Sequence, residues 1–332
     1  MRLQYRLKAI DPLTMRRLRQ IGVRDVCLLA NCGIDTRPGA WGQRTIRFDA
    51  PTLRYIRRQL EPFDLTLSAI CLAKTDLAHL LLGEDGWQAE LDEVCRMIEA
   101  AGNEGVPVVQ YAVIGSACRR VRSGESPGYS LRADGAGGAA RVHFDLTPAE
   151  SGFPTTLDNA SDVWQRIERF VERCVPVARS SGVRLACHPD DPPADMLWGC
   201  RHVLNSLEGI ERFLSLSSDR QHGIHFCCGT FAAAGIDPLA ALRRLLPTGR
   251  VHDVDLRNIE GRLPHYIEER LDRGRLDMPA IVRTLAEHHY PHTVSLDHVP
   301  RLEADPDQSF GQFWSLGYLK GLIDFTRPGG TA

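Results

Sequence analysis

Residues 184–193 read Arg184-Leu185-Ala186-Cys187-His188-Pro189-Asp190-Asp191-Pro192-Pro193. A short apolar run stops at a histidine, two aspartates and three prolines. The run is the length of a strand buried on both faces, and the prolines end it because proline cannot donate to a sheet ladder. The polar cluster then sits just past the strand's C-terminal end. Seven more short apolar runs read the same way: Arg2–Leu7, Asp25–Ala30, Leu65–Cys71, Val106–Ile114, Gly223–Cys228, Val251–Arg257 and Thr293–His298.

Amphipathic stretches lie between them. Trp87, Leu91, Val94 and Ile98 recur at helical spacing, as do Val163, Ile167, Phe170, Val171 and Cys174, and Met278, Ile281, Val282 and Leu285. Each set falls on one helix face and predicts packing against a sheet. Pro51, ahead of Leu53, Ile56 and Leu60, and Asp237-Pro238, ahead of Leu239–Leu246, are helix starts. Eight strand–helix alternations predict an α/β fold of the (β/α)8 TIM-barrel type in one domain, 1–332. The competing doubly wound sheet would carry a glycine-rich phosphate loop, and the sequence has none.

The 332 residues hold 40 Lys plus Arg against 42 Asp plus Glu, with 43% apolar residues. That balance predicts a folded chain and no nucleic-acid partner, which would need a basic surplus. No apolar run is long enough for a bilayer, so no membrane partner is expected. The alternating start Met1–Lys8 lacks the apolar core of a secretion signal, and a cytoplasmic protein is expected. The ten cysteines, spread without a zinc-type pattern, read mostly as reduced packing residues.

Residues 115–157 break the rhythm after strand four. Arg119, Arg120, Arg122, Arg132 and Arg141 stand there among Gly, Ser, Ala and Pro. The segment reads as a long loop, either a lid over an anionic substrate or a solvated insertion.

Barrel chemistry sits at the C-terminal ends of strands. Strand five ends at His188, strand six at Cys227-Cys228-Gly229-Thr230, strand seven at Asp255-Leu256-Arg257-Asn258 and strand eight at Asp297-His298. Alone, each has a plain reading: a hydrogen-bonded histidine, a packed thiol, a helix-capping aspartate. Together on consecutive strands, His188, Cys227, Asp255 and Asp297 can hold a divalent ion.

These residues resemble the mannonate dehydratase family of xylose-isomerase-like barrels. The run Gly182–Pro193 is similar to the family's GVR–(apolar)–HPDDPP, Cys227-Cys228-Gly229-Thr230 to its Cys-x-Gly-Ser/Thr, Asp297-His298 to its Pro-Asp-His, and Gly274–Met278 to its Gly-Asp-Val-Asp-Met. The resemblance extends over nearly the whole chain, weakly outside these motifs. It implies that His188, Cys227 and Asp297 are metal ligands, selects Cys227 over Cys228, and makes His298 the catalytic acid or base. It implies Mn²⁺, with Mg²⁺, Co²⁺, Ni²⁺ or Zn²⁺ as alternatives. Arg257 is a candidate carboxylate clamp or a structural ion pair, and Asp190 and Asn258 are further substrate-binding candidates.

Three departures stand out. Asp255 occupies the position of the family's third ligand, a histidine. Phe313 falls near the family's catalytic tyrosine, with Tyr318 close by. The aromatic-Trp-Thr-Arg feature after strand four is absent. The implied activity is dehydration of D-mannonate or a related aldonate to a 2-keto-3-deoxy sugar acid. The alternatives are a sugar isomerase or epimerase, and a sugar-acid-binding relative without turnover. The expected partners are a small sugar acid and, for a homo-oligomer, a second copy of the chain.

Overall fold

A computed structural model describes residues 1–33, 46–124, 126–133, 139–150, 159–302, 305 and 308–327. Eight parallel strands close into a barrel: Arg2–Ala9, Asp25–Gly33, Thr66–Cys71, Val108–Ala112, Arg184–His188, His222–Cys227, Val251–Leu256 and Thr293–Leu296. We number them one to eight. Each neighbours the next in sequence, and strand eight closes on strand one. All eight strands expected from the sequence are present. Several stop a residue or two early, so the polar residues that follow come to lie at the mouth.

Local chemistry explains the helix starts. Asp11, Asp49, Asp237 and Asp277 each accept backbone N–H groups as N-caps, with a proline in the first turn. Such a cap contributes about 1 kcal/mol, and the proline pre-sets the helical φ. The helices bury the faces read from their periodicity: Leu91, Val94 and Ile98 in Trp87–Asn103, and Ile167, Phe170 and Cys174 in Ala160–Ser181. Among the described residues no helix is long and apolar enough to cross a membrane.

The barrel interior is polar below the mouth. Gln110 of strand four donates to Asp253 of strand seven at 2.6 Å, Thr293 donates to the same carboxylate at 3.1 Å, and Gln4 donates to Ser68 at 2.8 Å. Strands four and seven are not neighbours, so the Gln110–Asp253 bond crosses the lumen. Side chains alternate along a strand with period two. Arg6 after Gln4, Asp255 after Asp253, and Ser295 and Asp297 after Thr293 therefore share the inward face, one layer nearer the mouth.

The segment read as a long loop after strand four is an ordered insertion in its described part. It begins with the helix Gly115–Ser123 and continues as the hairpin Tyr129–Ala133 and Ala139–Asp145; residues 125, 134–138 and 151–158 lie outside the described residues. The hairpin joins Asn258–Arg262, His265–Glu269 and Arg301–Leu302 in a second, antiparallel sheet. Phe144, Leu197, Trp198, Ile259 and Tyr266 form a small core of their own beneath it. Glycine and alanine in the insertion hid these strands, whose stability comes from pairing with distant segments rather than from local pattern.

Candidate metal centre at the barrel mouth

His188 and Cys227 are the last residues of strands five and six, Asp255 is the penultimate residue of strand seven, and Asp297 follows strand eight directly. Parallel pairing sets Cys227 beside Asp255 and Asp255 beside Ser295. One ligand atom from each of His188, Cys227, Asp255 and Asp297 lies within 4.8 Å of all the others. The structure thus brings together the four residues that the sequence placed at consecutive strand ends, Asp255 among them.

The donor set suits a cation. Pro189 offers only a carbonyl, 2.8 Å from His188 Nδ1, so Nδ1 carries the proton and Nε2 presents its lone pair. That lone pair faces Asp255 Oδ2 at 3.9 Å, two acceptors with no proton between them. Burial, and then the neighbouring His225, hold the His188 imidazole down to about 4, so it is neutral at pH 7. A neutral histidine with its second nitrogen bonded to a carbonyl is the form that ligates metals. Cys227 Sγ lies 3.8 Å from Asp297 Oδ2, and burial pushes its thiol well above the usual range. A divalent cation would reverse that and hold the thiolate.

Arg6, His225 and Ser295 hold the aspartates in place. Arg6 Nη2 donates to Asp255 Oδ2 at 2.7 Å, and Arg6 Nη1 reaches Asp297 Oδ1 at 3.4 Å. His225 Nε2 lies 3.0 Å from Asp255 Oδ1, which also accepts from Ser295 Oγ at 2.6 Å. Burial alone would raise the Asp255 carboxyl, but Arg6 and then His225 outweigh it and hold it below the usual range. For Asp297, burial is outweighed by His298, Arg6 and Arg257.

His298 adopts φ +30°, a left-handed conformation that costs a non-glycine residue on the order of 1–3 kcal/mol. The turn directs its ring into the cavity at the mouth, with 41% of the side chain exposed. Its Nδ1 lies 2.8 Å from Glu268 Oε1 and its Nε2 3.7 Å from Asp297 Oδ1. Burial and Arg257 oppose the imidazolium, but Asp297 and Glu268 prevail and raise its pKa above the ordinary histidine value.

Three expected substrate-binding residues are placed otherwise. Arg257 is fully buried: Nε and Nη2 bind Glu268, Nη1 binds Asp191 at 2.9 Å, and the guanidinium lies over the Tyr266 ring. With every edge committed it is the ion-pair hub of the second sheet, not a free clamp. Gly229 is what lets the neighbouring turn approach it, since a Cβ there would meet Arg257 Cγ and Cδ at 2.6 Å. Asn258 donates to Leu271 O and Leu276 O and accepts from Ile259 N and Leu276 N, so its amide pins the 271–276 turn. Asp190 accepts from Val203 N and Leu204 N inside the protein; its neighbour Asp191 faces the cavity.

Neither Phe313 nor Tyr318 reaches the centre. Phe313 stacks on Tyr5, and Tyr318 lies parallel to Trp314 along the helix Ser309–Phe325. The cavity's tyrosines are Tyr5, whose hydroxyl donates to Gln312, Tyr111 and Tyr129. Sequence reasoning missed Arg6, His225 and Glu268. Arg6 and His225 carry a signal, two residues beyond Gln4 and two before Cys227 on the inward face; Glu268 carries none, because its strand belongs to the second sheet.

An eight-stranded parallel barrel with a His-Cys-Asp-Asp group at its mouth defines the chain as a (β/α)8 TIM barrel with a candidate metal centre. Solved structures of this fold include a xylose isomerase domain protein from Planctomyces limnophilus, at TM-score 0.61 and 12% identity over 96% of this chain and 95% of that one. A mannonate dehydratase from Streptococcus suis serotype 2 superposes at TM-score 0.82 and 20% identity, over 98% of this chain and 95% of that one. The model of the D-mannonate dehydratase (UxuA) family matches residues 155–327, just over half of the sequence, and the chain belongs to that family. The mannonate dehydratase of Streptococcus suis strain 05ZYH33 is 30% identical over 153 residues, 45% of this chain and 42% of that protein. That of Streptococcus uberis is 31% identical over 194 residues, 54% and 56%. The chain spans about half the length of the curated relatives it matches.

Proposed function

We propose that the chain is a divalent-metal-dependent dehydratase of an open-chain sugar acid, D-mannonate or a close aldonate. The observation that carries this reading is the convergence of His188, Cys227, Asp255 and Asp297, in a chain of the D-mannonate dehydratase family. Family membership favours dehydration over the isomerase or epimerase reading, whose support is likeness of fold.

The reaction needs a base for the proton at C2, stabilisation of the charge that develops beside the carboxylate, and a proton for the hydroxyl leaving C3. Bound at these four residues, a divalent ion, Mn²⁺ in our reading, supplies Lewis acidity to substrate oxygens. The protein's own groups do the rest. His298 is held through Nδ1 by Glu268, so Nε2 is the atom that takes or gives a proton. Arg6 and His225 keep Asp255 ionised and oriented. Tyr129, Trp198 and the second sheet wall the cavity and limit water.

The test is to load the purified protein with Mn²⁺, add D-mannonate, and assay for 2-keto-3-deoxy acid. Release that disappears with EDTA and in His298→Asn supports the reading. No release from mannonate or any related aldonate refutes it.

A further inference from the structure

The cavity at the mouth has a volume of about 500 Å³, enough for a small polyhydroxy acid. With Arg257 buried against Glu268 and Asp191, the carboxylate of such an acid needs another partner. Among the described residues, the arginines and lysines that line the cavity are Arg6, Lys8, Lys74 and Arg120. Arg6 is committed to Asp255 and Asp297, and Lys8 donates to Gln308 at 3.2 Å. Among the described residues, neither Lys74 nor Arg120 has a carboxylate in hydrogen-bond or ion-pair contact.

Arg120 is held as a binding group would be. Its guanidinium lies over two aromatic faces, 5.9 Å from the Tyr129 ring centre and 5.5 Å from that of Trp198. Stacking fixes the plane and leaves the N–H edges available. Its helix is anchored by Ser116, 2.7 Å from His202 Nε2, and by Cys118, whose thiol donates to the Lys74 carbonyl at 2.9 Å. That last bond ties the two cationic segments together. Asp76 fixes the same loop by accepting from Ala73 N at 2.7 Å. The other insertion arginines with charged partners are spent on structure: Arg122 on Glu84 and Arg141 on Glu269. The cavity is also polarised by topology. Lys74 and Arg120 follow strands three and four, whereas Asp191, Glu268 and Asp297 follow strands five, seven and eight.

We propose that Arg120 and Lys74 form the subsite for the substrate's carboxylate, and that they select a sugar acid over a neutral sugar. The proposal deepens the sugar-acid reading above and rests on it. The guanidinium fork receives the carboxylate through charge-assisted hydrogen bonds, and the ammonium adds a second charge from the adjoining loop. The hydroxyl-bearing carbons then extend toward His298 and the four-residue centre.

Calorimetric titration of the Mn²⁺-loaded protein with D-mannonate, D-gluconate and the uncharged analogue D-mannitol tests it, every variant and its wild-type reference carrying His298→Asn so that no acid is turned over. The wild type should bind one of the acids at least about tenfold more tightly than mannitol, and Arg120→Met should remove most of that preference while leaving mannitol affinity unchanged. Lys74→Met, at an exposed position, should reduce the preference less, and Arg120→Lys should fall between wild type and Arg120→Met. A wild type without preference for either acid overturns the proposal. So does a preference that survives both methionine variants, because the carboxylate then sits elsewhere. Binding is read without turnover: an Arg120-dependent preference in a protein that releases no keto acid with His298 intact keeps this subsite and removes the dehydratase reading.

Discussion

Arg6 Nη2 lies 2.7 Å from Asp255 Oδ2, so a cation from the first barrel strand sits directly on a carboxylate of the seventh. Asp255 is fully buried and has a second carboxylate, Asp297, as a neighbour in the same group. One arginine and the proposed ion together balance a site that would otherwise gather negative charge out of water.

Arg6→Met should therefore leave two buried carboxylates with too little positive charge. Breaking a buried pair in this way costs about 3–5 kcal/mol. Urea unfolding in EDTA should show that loss, and saturating Mn²⁺ should recover part of it, because the ion binds only the folded centre. Equal losses with and without metal would mean that the carboxylates are not neutralised by an ion.

Arg257 behaves as a structural residue in this account. Arg257→Lys keeps the charge but not the fork that binds Glu268 and Asp191 together. It should lower stability by about 2–4 kcal/mol through the second sheet. At a temperature where the variant stays folded, its affinity for mannonate should change little. A large loss of affinity with unchanged stability would restore Arg257 as the clamp.

Acid sensitivity should begin in the histidine range. Burial, with Arg184 and then His292 adding to it, lowers the His252 pKa to about 3 in the folded protein. The unfolded chain binds a proton near pH 6.5 and the folded chain does not. The stabilisation is complete above pH 6.5 and is lost as pH falls from there toward 3, at up to about 1.4 kcal/mol per pH unit. Unfolding free energies measured from pH 7 to pH 4.5 should decline, with His188 and His292, both lowered to about 4, adding to the fall, and His252→Gln should reduce the slope by up to about 1.4 kcal/mol per pH unit. An unchanged slope in the variant would contradict the assignment.

The sequence disclosed the barrel because its strands are short apolar runs and its helices keep a regular period. It disclosed the four converging residues because barrel topology alone places strand ends five to eight side by side. The second sheet was not legible: Asn258–Arg262, His265–Glu269 and the hairpin of the insertion are weak strands made stable by partners far away in the chain. Missing that sheet also hid the fate of Arg257. Beside His-Leu-Arg-like surroundings an arginine at a strand end looks like a substrate clamp, and only Glu268 reveals it as an ion pair. Asn258 and Asp190 misled for a similar reason, since a polar side chain that satisfies backbone groups in a turn cannot be told by residue type from one that faces a ligand.

The most direct measurement is an anaerobic Co²⁺ titration of the metal-free protein, followed by visible and near-ultraviolet absorption. Cobalt bound at His188, Cys227, Asp255 and Asp297 would give a thiolate-to-metal band that saturates at one ion per chain. The account predicts that Cys227→Ser abolishes the band while Cys228→Ser, whose sulfur contacts the Arg257 backbone at 3.2 Å instead, keeps it. No band in the wild type, or a band that survives Cys227→Ser, would contradict it.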